Sequence, residues 1–181
     1  RTQMTELYAM RDNLSAEDKN KVIKVAHDFD IEDFSVTNNS HWATLLRRVD
    51  IVPPSLALAQ AANESAWGTS RFALKGNNYF GQWCFRKGCG LVPKSRADGL
   101  KHEVAKFNSP RQSVNKYMHN LNTHEAYFQL RSIREQLRNN DQVVSGLKLS
   151  QGLLKYSERG LHYVKELNQM IRFNKLDKLD G

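Results

Sequence analysis

No run of apolar residues approaches the ~20 that a helix needs to cross a bilayer, so no membrane span is expected. Glycine and proline, 10 and 4 residues of 181, are too sparse for collagen, a disordered segment or a flexible linker. No run of Lys and Arg reaches five and no nucleic-acid motif is present, which argues against nucleic acid as a partner. A nucleotide-binding regulator has no support either, because no G-x-x-x-x-G-K-S/T occurs. Internal repeats and low-complexity stretches are also missing. What remains is the composition of an ordinary globular chain, long enough to bury a core.

The surplus of positive charge, +8, points to a polyanionic partner such as the bacterial wall or anionic lipid, although dispersed charge also serves solubility. The chain begins at Arg1 rather than Met, so an upstream segment (a signal peptide, an anchor or an arbitrary boundary) is expected to be missing. Only two cysteines occur, Cys84 and Cys89, in the stretch W-C-F-R-K-G-C-G. Their spacing suits a local disulfide and hence an oxidising compartment. A zinc half-site competes with that reading, but His102, His119 and His124 are too scattered to supply a second pair of ligands; two free thiols are the third possibility. No metal and no cofactor are expected, and nothing suggests more than a monomer.

Helical periodicity dominates the chain. Residues 1–50 read as polar helices, with Ser15 as an N-cap and Val22, Val25, Ala26 and Phe29 at helical spacing. A further helix over His41 to Val49 places Leu45, Leu46 and Val49 on one face. Pro53-Pro54 blocks continuation and suits the first turn of a new helix, expected to run to Trp67 before Gly68 ends it. From Asn77 to Phe107 the pattern changes to aromatics, glycines and short alternating runs, with Ala97-Asp98-Gly99 as a turn between strands. Ser109-Pro110 then opens a helix carrying Val114, Tyr117, Met118 and Leu121, and a last helix after Gly160 carries Tyr163, Leu167, Met170 and Ile171. The expected fold is α+β, mainly α: a helical domain with a small β-hairpin lobe. Residues 1–48 read as a helical extension packed on a domain of residues 49–181.

Glu64 is the anomaly in this pattern. It sits in the last turn of an Ala-rich helix beside Leu56, Leu58, Ala59, Ala61 and Ala62. Burial disfavours a charged carboxylate there, and the negative end of the helix disfavours it further, so both effects raise its pKa. A carboxylic acid that stays protonated near neutral pH can donate to a leaving oxygen. The alternative is a structural ion pair, for which Arg71 is the nearest cation in sequence.

The stretch A-Q-A-A-N-E-S-A-W-G-T-S, followed by N-N-Y-F-G, resembles the lysozyme-like glucosaminidases of glycoside hydrolase family 73, and within them the Bax-type branch of enteric bacteria. The resemblance covers Val49 to Phe173, including Phe107, Ser109, Ser113, Tyr117 and Leu121 and the closing Tyr156, Ser157, Tyr163, Leu167 and Ile171. It implies a lysozyme-like fold and an enzyme of the cell envelope or periplasm that cuts peptidoglycan. Glu64 would be its catalytic acid, Ser65 and Trp67-Gly68 would shape the helix end, and Asn78-Tyr79-Phe80-Gly81 would form the cleft floor. Tyr156 would be a site residue and Tyr163 a second one. Tyr79 and Trp83 offer faces for a sugar ring, whereas Phe80 and Phe85 fit core packing better.

One feature of the family is out of place here. Many members carry a second acidic residue in the β lobe; its position falls on Ser95, with Asp98 and Glu103 as nearby substitutes. Glu103 is the preferred one, because Asp98 fits a turn for purely local reasons. With a second carboxylate, water can be activated by an inverting or a retaining route. Without one, the N-acetyl group of the substrate or the 6-hydroxyl of muramic acid can do the attacking. The leading expectation is an endo-β-1,4-N-acetylglucosaminidase. A lytic transglycosylase is the runner-up, and a wall-binding module without activity is the alternative of another class.

Overall fold

The computed structural model describes every residue except Ser95, Ala97 and Asp98. The missing acidic position at Ser95, its substitute Asp98 and most of the expected Ala97-Asp98-Gly99 turn therefore lie outside the described residues.

The N-terminal helices are α1 (Thr2–Ala9), α2 (Ala16–Asp28) and α3 (Asn39–Arg48). Ser15 caps α2 by accepting from Asp18 N, and Asn38 caps α3 through Ser40 N and His41 N. Met4, Leu7, Leu14, Val22, Ala26, Phe34, Trp42 and Leu45 form a buried cluster of their own. At its centre the fully buried indole of Trp42 donates to Val36 O at 2.8 Å.

A second, larger core gathers around α4 (Pro54–Ser65). Leu56, Ala59 and Gln60 of this helix are fully buried, whereas Leu58, expected to pack inward, is exposed. The helix packs against α8 (Gly146–Leu149), α9 (Leu161–Phe173) and the 3₁₀ turn Leu176–Leu179. Asp180 fixes its start: the carboxylate accepts from Ser55 N at 3.0 Å, Ser55 Oγ at 2.6 Å and Gly146 N at 2.8 Å. A negative charge on free N–H groups at a helix N-terminus is the favourable sense of the helix dipole.

Helix α7 (Phe128–Asn139) closes the core against the 3₁₀ turn Ser150–Leu153. The approach requires glycine at 152, since a Cβ there would overlap the backbone of Leu130. Gly152→Ala is therefore expected to cost about 1–3 kcal/mol by overpacking, read as a lower midpoint in thermal unfolding.

After α5 (Arg71–Gly76) come three short strands, β1 (Trp83–Cys84), β2 (Gly90–Leu91) and β3 (Glu103–Ala105). The sheet is antiparallel with order β1-β3-β2, so the expected hairpin of β2 and β3 is extended by β1 on the other side of β3. Helix α6 (Pro110–Thr123) follows, with Ser109 accepting from Gln112 N. The return bond of this capping box is displaced by one residue, because Gln112 Oε1 accepts from Asn108 N.

Candidate active site

Helix α4 ends two residues earlier than its sequence suggests. Ala66, Trp67 and Gly68 all take positive φ, at 49°, 58° and 79°. For alanine and tryptophan that conformation is strained, and it persists only where surrounding bonds impose it. Ser65 supplies two of them: its hydroxyl donates to Ala61 O at 2.6 Å and accepts from Gly68 N at 2.7 Å. Thr69 Oγ1 donates to Ala66 O and Ser70 N to Ser65 O, completing the stop. The result leaves Glu64 on the last regular turn and Trp67 67% exposed, so the indole does not enclose the carboxylate.

Glu64 is instead half-buried against a wall of tyrosines and a tight loop. Gly81 lies so near that a Cβ on it would sit 3.7 Å from Glu64 Oε2. Burial is the main influence on the carboxyl and raises its pKa above 4.5; hydrogen bonds from Tyr163 and Asn63 and the charge of Arg159 oppose this, and Glu166 adds to it. Arg71, the partner expected for a purely structural ion pair, is engaged elsewhere, donating to Val92 O.

The Tyr163 hydroxyl is oriented by a buried relay. Tyr117 donates to Gln60 Oε1 at 2.6 Å, and Gln60 Nε2 donates to Tyr163 Oη at 2.9 Å. The hydroxyl of Tyr163 thus accepts from Gln60 and is left to donate to Glu64. Tyr117 is legible in the sequence only as a helix-face and family-pattern position, and Gln60 not at all, although Gln60 stands one helical turn before Glu64 on the same face. Burial pushes the phenols of Tyr117, Tyr127, Tyr156 and Tyr163 above 10, so the wall consists of neutral donors.

A donor to the ionised carboxylate favours the charged form, so Tyr163→Phe raises the Glu64 pKa further. If Glu64 acts as an acid, the alkaline limb of its pH–rate profile moves to higher pH in that variant, as a kcat profile against pH checks directly.

Tyr156 lies parallel to Tyr163, ring centroids 5.6 Å apart, and its hydroxyl donates to Phe80 O at 3.2 Å. It therefore ties the N-N-Y-F-G loop to the start of α9. Phe80 is buried and stacked on Tyr117 at 3.9 Å. Asn78 is also buried and organises the loop from within: its amide donates to Gln82 O and Ala105 O while Oδ1 accepts from Phe80 N and Gln82 N. Tyr79 lines a separate cavity of about 340 Å³ with Ser65, Trp67 and Met170, beside α4 but without Glu64 among its lining residues.

The β lobe holds the remaining candidates. Cys84 and Cys89 are joined in a disulfide. Atoms of Cys84, Cys89 and Glu103 lie within 4.8 Å of one another, but zinc would need thiolates that a disulfide does not provide. Both oxygens of Glu103 are engaged, accepting from Gly88 N at 2.9 Å and Gly90 N at 2.8 Å, and these bonds hold its pKa below 4.5. Glu103 thus braces the disulfide loop, and the carboxylate whose charge reaches Glu64 is that of Glu166 on α9. Glu166 is itself paired with Arg159 at 2.8 Å, and the Arg159 guanidinium lies 5.6 Å from the Tyr163 ring centre. Trp83 is exposed, and so is Phe85, which was expected to pack inward.

A family model described as mannosyl-glycoprotein endo-beta-N-acetylglucosaminidase matches residues 39–176, reaching back into α3. Protein bax of Escherichia coli strain K12 is 41% identical over 138 residues, 76% of this chain and 48% of that protein. The chain thus spans about half the length of this relative. No solved structure matches it.

Proposed function

Because the chain belongs to the glucosaminidase family of glycoside hydrolases, we propose that it cuts the glycan strand of peptidoglycan as an endo-β-1,4-N-acetylglucosaminidase with Glu64 as general acid. The observation that carries this reading is the half-buried Glu64 carboxyl, its pKa raised by burial, facing the oriented Tyr163 hydroxyl. In the proposed reaction the Glu64 proton passes to the glycosidic oxygen as its bond to the anomeric carbon breaks. The N-acetyl oxygen of the same sugar closes on that carbon and takes up the developing positive charge. Water then opens the ring intermediate and returns a proton to Glu64. The engagement of Glu103 by two backbone N–H groups favours this substrate-assisted route over one in which Glu103 is the base. The same observation supports a second reading, a lytic transglycosylase, in which the muramic 6-hydroxyl replaces water.

Peptidoglycan is preferred to the mannosyl glycoprotein of the family description because the charge of +8 suits an anionic wall polymer. The Cys84–Cys89 disulfide suits an oxidising location such as the periplasm. Residues 1–48 serve in this proposal as a helical brace for the catalytic unit. Mass spectrometry of borohydride-reduced products from purified sacculi tests it: reduced N-acetylglucosamine ends are expected. Reduced muramic ends place the cut at the other bond, anhydro-muramic ends assign the second reading, and activity on a mannosyl glycoprotein alone overturns the choice of substrate.

A further inference from the structure

Between β1 and the outer face of α6 lies a cavity of about 480 Å³ that the chemistry at Glu64 does not use. Gln112, Lys116 and Asn120 line it at a four-residue spacing, which puts all three on one stripe of α6. Trp83, Lys106 and Phe107 face them from the β lobe. The Trp83 indole is 59% exposed and stacked on His102, 4.1 Å between ring centres and 15° between planes. His102 is in turn held through its carbonyl by Arg96. One face of the indole is thus braced and the ring is ordered before any ligand arrives.

Three polar groups around this platform lack partners among the described residues. Neither Lys106 nor Lys116 forms an ion pair among the described residues. Gln82 Nε2, in the same wall, is a buried donor with no acceptor among the described residues. A buried unpaired donor beside two free ammonium groups is complementary to a ligand rich in oxygen and negative charge. The cavity adjoins the site through the loop, because Gln82 of its wall follows Gly81, on which a Cβ would sit 3.7 Å from Glu64 Oε2. Behind the cavity wall the Tyr127 ring packs 5.8 Å from Tyr156, which stacks on Tyr163 beside Glu64.

We propose that this cavity is an acid-reading subsite of the glycan cleft, in which Trp83 carries a sugar ring and Lys106 and Lys116 bind a carboxylate borne by that sugar or its substituent. The inference rests on the glycan-cleaving reading above, and it makes the enzyme selective for carboxylated strands over neutral N-acetylglucosamine polymers. The carboxylate has two sources in peptidoglycan, the lactyl group and the stem peptide.

Calorimetry in a Glu64→Gln background separates binding from turnover. The probes are a peptide-free glucosaminyl-muramyl tetrasaccharide with free lactyl carboxylates, the same strand with stem peptides, and neutral chitotetraose. Lys106→Gln/Lys116→Gln is expected to weaken the carboxylated probes roughly tenfold and chitotetraose less than about twofold, as for the loss of charge-assisted bonds. Lys106→Arg/Lys116→Arg keeps the selectivity, and Trp83→Ala weakens all three probes. Loss on the peptide-free probe assigns the lactyl carboxylate; loss on the peptide-bearing probe alone assigns the stem peptide. Equal losses on chitotetraose, or no loss on any probe, overturn the subsite. Selective binding by a protein whose wild type cleaves nothing would overturn the hydrolase reading and leave the subsite standing.

Discussion

Glu64→Gln is expected to lower kcat on glycan by about 10²–10⁴-fold, the usual contribution of a positioned general acid. Glutamine keeps the shape of the side chain and can still meet the Tyr163 hydroxyl, but it has no proton to give the leaving oxygen. Stability should move the other way. Burial raises the Glu64 pKa above 4.5 in the folded chain. Ionising Glu64 as pH rises past its unfolded value therefore lowers native stability, whereas the neutral amide is indifferent to pH. The variant should accordingly unfold at the same or a higher temperature than wild type near neutral pH. Circular dichroism melts beside the rate measurement check both halves; a variant that is inactive and melts well below wild type would indicate a structural role instead.

The largest loss of stability is expected at a position remote from the chemistry. The Asp50 side chain is 1% exposed and faces three arginines, Arg138 at 2.9 Å, Arg1 at 3.3 Å and Arg134 at 3.8 Å. Arg134 is also 1% exposed, and its guanidinium donates to Ile51 O and Arg47 O. Burial holds its pKa down to about 10 even with Asp50 beside it. Asp50→Ala leaves that cation buried without its counter-ion, at a cost of about 3–5 kcal/mol. For a chain of this length the loss corresponds to a fall in Tm of roughly 6–20 °C. Arg138→Ala removes a partner that is 35% exposed and should cost far less, which thermal unfolding of the two variants distinguishes.

Local chemistry was legible in the sequence wherever a few adjacent residues decide the outcome. Ser15 and Ser109 cap the helices they precede, Pro54 opens α4, and a carboxylate in an Ala-rich helix drew attention to Glu64. Gln60 was within reach of the same reasoning, as a buried amide one turn from that carboxylate. The relay it belongs to was not, because its partners lie 57 and 103 residues away and meet only through packing of α4, α6 and α9. Ser65 shows the same limit at short range: its hydroxyl stops the helix before Trp67, and no propensity for Ala66 or Trp67 foretells left-handed backbone. Glu103 was legible as a carboxylate of the β lobe but not as the acceptor for the N–H groups of Gly88 and Gly90, whose position depends on closure of the disulfide loop.

The most direct test of the account is digestion of purified sacculi in heavy-oxygen water, with the products analysed by mass spectrometry. Wild type is expected to release fragments that end in N-acetylglucosamine and carry one heavy oxygen at the new reducing end, and Glu64→Gln to release none. Unlabelled anhydro-muramic ends, or labelled fragments released equally by Glu64→Gln, would contradict it.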